Sequence, residues 1–473
     1  MLFTNGTYFI FLIAVFFAFW LTKPKWRIAL LLLANYCFYS LAGVKALALL
    51  LALSTIDFTI AKFIATSEAQ RKRKLLLLLS IIADVGTLCF FKYANFFLAS
   101  SISALHLVGY KITLPQLNFI VPLGLSFFIF QSLSYVIDVY RRTTEPAKNY
   151  WQYLTFVSFF PTIVAGPITR ARQLLPQLKF NLPLTAEQGG QTLFLIAMGL
   201  IKKIAVADYL RANFVDRVFD FPERYSALEV LTAIYGYAIQ IYADFSGYSD
   251  IAIGSALLLG IMLPLNFDAP YRAVSLPEFW RRWHITLSTW LRDYVFFSLT
   301  ALNKRSATLM YAGLIITMLL GGLWHGAAWT FVSWGLLHGV GLAGYRGFEA
   351  LRKRFSWHRS NTNLFAMIGV FLTFHFVCFT WVFFRAETLT QALAMLRSLA
   401  SMTANTANLP APIIVITISG FALQWLPYIW WEQLQKGFVY LPAPAQAILL
   451  AAVAIGLYFV ASSDVVPFIY ANF

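Results

Sequence analysis

Apolar positions in this chain come in long blocks separated by short polar loops. The blocks run near residues 7–22, 26–44, 45–65, 75–99, 119–140, 191–211, 228–243, 251–265, 307–324, 327–345, 363–384, 411–430 and 445–463. Crossing a bilayer as an α-helix takes about 20 mostly apolar residues. The pattern therefore predicts an all-α polytopic membrane protein with roughly 11–13 transmembrane or half-spanning helices. Residues 150–168 are apolar too, but Pro161, Gly166 and Pro167 interrupt them. Irregular backbone survives at membrane depth only when protein covers it or when it lines a wet cavity. This stretch is expected to be re-entrant or half-spanning. The polar stretches 143–149, 178–190, 216–227, 351–362 and 400–410 are short, and no internal repeat is visible. Residues 1–473 are read as a single membrane domain.

Three blocks depart from plain hydrophobicity. In the first, Ser275 and Glu278 form an S-x-x-E capping box, with Pro277 tolerated in the first turn. Phe279, Trp283, Leu287, Trp290, Tyr294 and Phe297 follow at four- and three-residue steps, with Arg281, Arg282, Arg292 and Asp293 off that stripe. The spacing predicts an amphipathic helix that lies in an interface or lines a cavity. His284 sits beside the stripe, with Ser288 one turn on. The plain alternative is a surface helix whose arginines meet lipid phosphates.

In the second block, Gly322 and Gly326 make a small-xxx-small pair, which lets another helix approach closely. Trp324 and His325 lie between them, and Trp329 is one turn from His325 on a continuous helix. A histidine packed there is buried or lines a narrow passage. Its ordinary pKa, about 6.5, suits proton transfer; the alternative is a hydrogen bond that glues two helices. His338 falls about 220° further around an ideal helix and is read as structural, packed with Gly335 and Gly339. The third block, Tyr242–Asp250, sets Asp244, Ser246, Tyr248, Ser249 and Asp250 around Gly247. It is too polar for lipid, so it faces the interior or breaks the helix. A network with the arginines of residues 281–292 is preferred to substrate positioning, because a buried carboxylate needs a partner. Lys202, Lys203 and Asp208 interrupt another block, and snorkelling of the lysines to the cytoplasmic face explains them.

Composition agrees with a membrane protein: 60% of residues are hydrophobic and 12% charged, against about 25% charged in soluble domains. Aromatics reach 17% and suit membrane interfaces. The net charge of +16 sits in short loops, a topology signal rather than a phosphate-binding face, so no nucleic-acid partner is expected. Lys23, Lys25 and Arg27 follow the first block, Arg71, Lys72, Arg73 and Lys74 the third, and Arg141 and Arg142 the fifth. Basic loops stay in the cytoplasm, which puts the N-terminus and the loop 100–118, with His106 and Lys111, outside. The first block has no basic residues before it and reads as a retained helix rather than a signal peptide. Cys37, Cys89 and Cys378 lie in apolar runs without a CxxC and are expected as small core residues. No P-loop, HExxH or G-x-S-x-G is present, no metal site is expected, and haem ligation by His325, His338 and His375 finds no other support. Ionisable side chains at membrane depth are functional candidates by default. An enzyme using His325 and His284 is one reading. A proton-coupled transporter or flippase with His325 as relay is the other, though the paired repeats common in transporters are missing.

The segments YADFSGYSDIAIGSALLLGI (242–261), LNFDAPYRAVSLPEFWRRWHITLSTWLRDYVF (265–296) and GGLWHGAAWTFVSWGLLHG (321–339) resemble the membrane-bound O-acyltransferases. The N-terminal FTNGTYFIFL and the terminal PFIYANF look like the bacterial, acetyl-transferring branch that serves alginate and peptidoglycan. The resemblance implies a ring of tilted helices around a thinned centre, with a cytoplasmic tunnel meeting an outward funnel. It also implies an O-acetyltransferase of the bacterial inner membrane. The expected donor is a cytoplasmic thioester, acetyl-CoA or an acyl carrier, with no bound cofactor; the expected acceptor is peptidoglycan or an alginate-like polysaccharide. Membrane lipid and an extracytoplasmic partner acetyltransferase are the further partners it implies. His325 maps to the family's catalytic histidine and His284 to the first motif position. Around them, Trp324, Trp283, Arg281, Arg282, Ser288, Asp244, Tyr248 and Asp250 are the substrate-binding or tunnel candidates. Acyl transfer to a hydroxyl needs a general base and oxyanion stabilisation, and a closed helix ring would keep water from the acyl group.

Overall fold

The computed structural model describes residues 3–110, 112, 115, 117, 121–180, 183–303, 305–355, 363–461 and 469. Lys111 and, save Ile469, the terminal PFIYANF lie outside the described residues. Among the described residues every regular element is helical, as the apolar blocks predict. The chain divides into two compact units, one chiefly Met1–Gly189 with Ala252–Pro264, the other chiefly Gly190–Ile251 with Leu265–Ala471.

The first unit holds α1 (Gly6–Leu21), α2 (Arg27–Ser40), α3 (Val44–Thr66), α4 (Gln70–Leu88), α5 (Ala94–Leu107), α6 (Leu125–Tyr140) and α7 (Tyr150–Ser158). A wide π turn at Cys89–Tyr93 joins α4 to α5. Its interior carries polar groups that pair with one another: Asp57 accepts hydrogen bonds from Ser80 at 2.6 Å and from Ser132, and Ser132 meets the Tyr153 hydroxyl at 2.7 Å. After α7 the chain leaves regular helix, yet residues 159–170 are all buried. Asn35 secures the start of this stretch, its side-chain oxygen accepting from the Phe160 N–H at 3.0 Å and its amide donating to the Ser158 hydroxyl at 3.3 Å. This is the broken, protein-covered backbone that the prolines at 161 and 167 predict.

The second unit begins within α8 (Ala186–Leu200), which runs on through π turns at Ile201–Asp208 and Arg211–Val215. It continues with most of α9 (Ala227–Leu258), then α10 (Leu276–Arg282), α11 (Ile285–Trp290), α12 (Ala307–His325), α13 (Trp329–Arg354), α14 (Asn363–Arg385), α15 (Leu389–Ala400), α16 (Ala411–Trp425), α17 (Tyr428–Val439) and α18 (Ala443–Val460). Two glycine seams set its packing. A Cβ on Gly199 or Gly247 would lie 2.6 or 2.7 Å from the other glycine's carbonyl oxygen, so α8 and α9 meet backbone to backbone. A Cβ on Gly322 would overlap the Phe331 carbonyl, one on Gly335 the Met318 carbonyl, and one on Gly339 would lie 2.8 Å from Ile315 Cα. These absences of side chain let α12 and α13 close into a tight hairpin.

By length and apolarity, five helical stretches among the described residues suffice to cross a membrane: Val44–Thr66, Gln70–Leu107, Ala307–His325, Asn363–Arg385 and Ala443–Val460. A sixth appears if α16 and α17, bent by 99°, count as one. The remaining predicted spans are short helices such as Gly6–Leu21 and Leu125–Tyr140, or carry charges. The blocks at 228–243 and 251–265 are not two spans. A single helix of 32 residues runs through the polar segment between them and turns Asp244, Ser246, Tyr248 and Ser249 inward. Of the cysteines only Cys378 is a core residue; Cys37 and Cys89 face outward.

Candidate functional site

The lysines of the π turn explain why α9 need not break at its carboxylates. Lys203 is fully buried, its Nζ 2.6 Å from Asp244 and 2.8 Å from Asp208, and Lys202 Nζ lies 2.6 Å from Asp250. The second oxygen of Asp244 accepts the Ile469 N–H at 2.7 Å. Snorkelling does not describe Lys203, because a carboxylate inside the unit offers what the headgroup region otherwise would. Nor do Asp244 and Asp250 pair with the arginines of residues 281–292. Arg282 binds Asp268 and Glu278, each at 2.9 Å, and Arg292 binds its neighbour Asp293 at 2.8 Å.

The amphipathic segment after Ser275 starts as predicted. The Ser275 hydroxyl accepts the Glu278 N–H, although Glu278 reaches back to the Val274 N–H rather than to Ser275. It is not one helix, however. α10 ends at Arg282 and α11 starts at Ile285, with His284 between them in the left-handed region (φ 40°, ψ 54°). A non-glycine residue there is uphill by roughly 1–2 kcal/mol, and such residues persist where the surroundings over-determine them and cluster at functional sites. The Asn266 carbonyl accepts the Ile285 N–H, and the Arg282 carbonyl accepts the Asp268 N–H, both at 2.9 Å, so the loop before α10 is laced to the break. Ser288, expected as a site group one turn from His284, donates its hydroxyl to the Trp283 carbonyl at 3.0 Å. Arg281 is exposed.

α12 ends at His325, and the glycine seam holds α13 against it. Trp329 is therefore not a turn away on the same helix; it opens α13 and is exposed. His325 and His338 likewise lie on different helices, and the rotation expected of one continuous helix does not apply. The Trp334 ring packs on both, with centroids 5.1 and 4.8 Å away. His338 makes two hydrogen bonds across helices. Its Nδ1 accepts from the Trp280 indole N–H at 3.3 Å, which leaves the proton on Nε2 to donate to the Thr380 hydroxyl at 2.9 Å.

His284 and His325 are brought together through Trp324. The indole centroid lies 5.9 Å from the His284 ring and 4.9 Å from the His325 ring, both edge-on. The histidines are 0% and 1% exposed. Phe384 and Trp334 close the other sides of His325 at 5.0 and 5.1 Å, and Phe245 stands edge-on to His284 at 4.6 Å. Behind them Trp283 stacks on Phe279 at 5.7 Å and meets Trp381 at 5.0 Å. Tyr248 is buried on α9. An aromatic-walled pair of imidazoles offers proton acceptors and donors in surroundings that exclude water, which suits transfer of a group that water would otherwise capture. Sequence reasoning missed Asn266, Trp334, Trp381 and Phe384. The tryptophans carried a signal, being unusually dense, but their partners are set by the fold.

Comparison with known proteins places the chain in context. A family model described as "MBOAT, membrane-bound O-acyltransferase family" matches residues 16–386, which contain both histidines. The chain is 36% identical to the peptidoglycan O-acetyltransferase of Helicobacter pylori over 398 residues, 79% of this chain and 73% of the relative. It is 38% identical to the probable alginate O-acetylase AlgI of Pseudomonas syringae over 395 residues, 82% and 73% of the two chains. Similarity extends to the teichoic acid D-alanyltransferase of Bacillus subtilis, 30% identical over 283 residues, 58% of this chain and 71% of the relative.

Proposed function

Because this chain belongs to the membrane-bound O-acyltransferase family and is an O-acyltransferase, we propose that it moves an acetyl group from a cytoplasmic thioester, acetyl-CoA or an acylated carrier, outward for O-acetylation of peptidoglycan or an alginate-like polysaccharide. His325 acts as general base. It takes the proton of the acceptor hydroxyl as that oxygen attacks the thioester carbonyl. When the carbon–sulfur bond breaks, the proton passes to the departing thiolate and the imidazole returns to its neutral state. His284 assists beside it. The observation that carries the reading is the convergence of both motif histidines, one from the break between α10 and α11 and one from the end of α12, on the Trp324 indole inside a buried aromatic wall.

The relatives' names point to the two acceptor classes. Vectorial transfer fits an enzyme of the bacterial inner membrane with the N-terminus outward, as the basic loops suggest. An extracytoplasmic acetyltransferase would complete delivery to sugar, with membrane lipid around the apolar helices. The test is His325→Ala expressed in cells lacking the wild-type protein, with acetate released by mild base from the envelope polysaccharides and the variant's level measured by immunoblot. Acetyl esters should fall to background at normal protein level. Normal acetylation would overturn His325 as the base.

A further inference from the structure

We propose that Asn266 is a positioning residue that fixes the His284 imidazole in its Nδ1–H tautomer, making Nε2 the acceptor nitrogen in the acyl-transfer site. The proposal rests on the reading of His284 given above. Asn266 lies in the loop between α9 and α10 and is 1% exposed. Its Oδ1 stands 3.3 Å from the Thr286 backbone nitrogen, 2.9 Å from the Thr286 hydroxyl and 3.0 Å from His284 Nδ1. A backbone N–H only donates, so the atom facing it is the carboxamide oxygen and not the amide nitrogen. The amide nitrogen points the other way and donates to the Ser249 hydroxyl at 3.3 Å, which agrees with that orientation.

An oxygen that only accepts requires a hydrogen on Nδ1. In a neutral imidazole the other nitrogen then carries the lone pair. The same residue holds the main chain, since its carbonyl accepts the Ile285 N–H at 2.9 Å on the far side of the left-handed turn. Phe245 and Trp324 fix the ring plane from the sides. Asn266 thus sets the tautomer, direction and backbone of His284 together. The consequence is chemical. Neutral His284 presents an acceptor on Nε2, able to take a proton or a hydrogen bond from a hydroxyl or thiol, and does not donate to an oxyanion from that atom. His338 shows the same rule with the opposite result, because there an indole N–H occupies Nδ1.

The experiment combines epistasis with a spectroscopic readout. Asn266→Leu, Asn266→Asp, His284→Ala and the Asn266→Leu/His284→Ala double variant are compared for envelope acetyl esters at matched protein level. Asn266→Leu removes the acceptor and should lower acetylation on the order of tenfold or more, and the double variant should be no worse than the lower single. Asn266→Asp keeps the acceptor oxygens and should rescue most activity. Nitrogen-15 spectra of histidine-labelled protein in lipid, with His284→Ala for assignment, should show His284 protonated at Nδ1 in the wild type. A wild-type spectrum with the proton on Nε2, full activity in Asn266→Leu, or independent losses in the double variant would each overturn the proposal. If Asn266→Leu does not accumulate, the wild-type spectrum and Asn266→Asp decide: Nε2 protonation, or Asn266→Asp accumulating normally but without activity, would overturn it. Full acetylation by His284→Ala would instead overturn the role of His284 in acyl transfer, while the tautomer would stand on its spectrum.

Discussion

Lys203→Met removes the cation that two inward-facing carboxylates share. Lys203 Nζ lies 2.6 Å from Asp244 and 2.8 Å from Asp208, and the three side chains are 1%, 3% and 13% exposed. Unit charges about 4 Å apart interact by ~4 kcal/mol at an effective dielectric of about 20. Breaking one partner of a buried pair costs about 3–5 kcal/mol in measured cases, because the surviving charge is stranded. The two magnitudes agree, so a loss of ~3–5 kcal/mol is expected. Methionine keeps the apolar stem, which isolates the effect to the charge. Asp244→Asn is the contrasting variant: it leaves Lys203 paired with Asp208 and can still accept the Ile469 N–H. Its expected cost is ~1–2 kcal/mol. Thermal unfolding of purified protein in nanodiscs, followed by tryptophan fluorescence, reads the difference. With each kcal/mol worth about 2–4 °C in a large domain, Lys203→Met should melt on the order of 10 °C lower and Asp244→Asn only a few degrees lower. Acetylation by Asp244→Asn should stay near normal at permissive temperature. A Lys203→Met variant that melts with the wild type would refute the stranded-charge reasoning. Lost acetylation with unchanged melting in Asp244→Asn would show instead that Asp244 touches substrate.

Three further substitutions probe the frame of the site. Gly322→Ala places a methyl on the Phe331 carbonyl and should cost about 1–3 kcal/mol and lower acetylation by displacing Trp324 and His325. Gly344→Ala, on the same hairpin with open space around it, should be neutral or stabilising by up to about 1 kcal/mol; equal damage by both in melting and acetate release would remove the seam argument. His338→Leu strands the Trp280 indole N–H and takes one donor away from the Thr380 hydroxyl, which still donates to the Val377 carbonyl at 2.8 Å, at roughly 1–3 kcal/mol in all. Its loss of acetylation should track its loss of melting temperature, and inactivity at wild-type stability would instead give His338 a chemical role.

Hydropathy made the helices legible because lipid and protein interior both demand apolar side chains. For the same reason it does not separate full spans from half-spans and covered backbone: an apolar block does not say whether lipid or protein will cover it, and residues 159–170 show protein doing so. The polar stretch of α9 left a break and an inward face both open because Lys203 and Lys202, 41 and 48 residues away from their partners Asp244 and Asp250, are invisible to local pattern. The stripe from Phe279 to Phe297 kept its helical spacing across a point where the chain turns left-handed at His284, and no glycine marked it. By contrast, the tight packing at His325 was readable in advance, since Gly322 permits it by what it lacks. A residue that acts through its own missing side chain leaves its mark in the local sequence. A residue such as His284, whose tautomer and direction depend on an asparagine 18 positions upstream, acquires its chemistry only when the chain has folded back on itself.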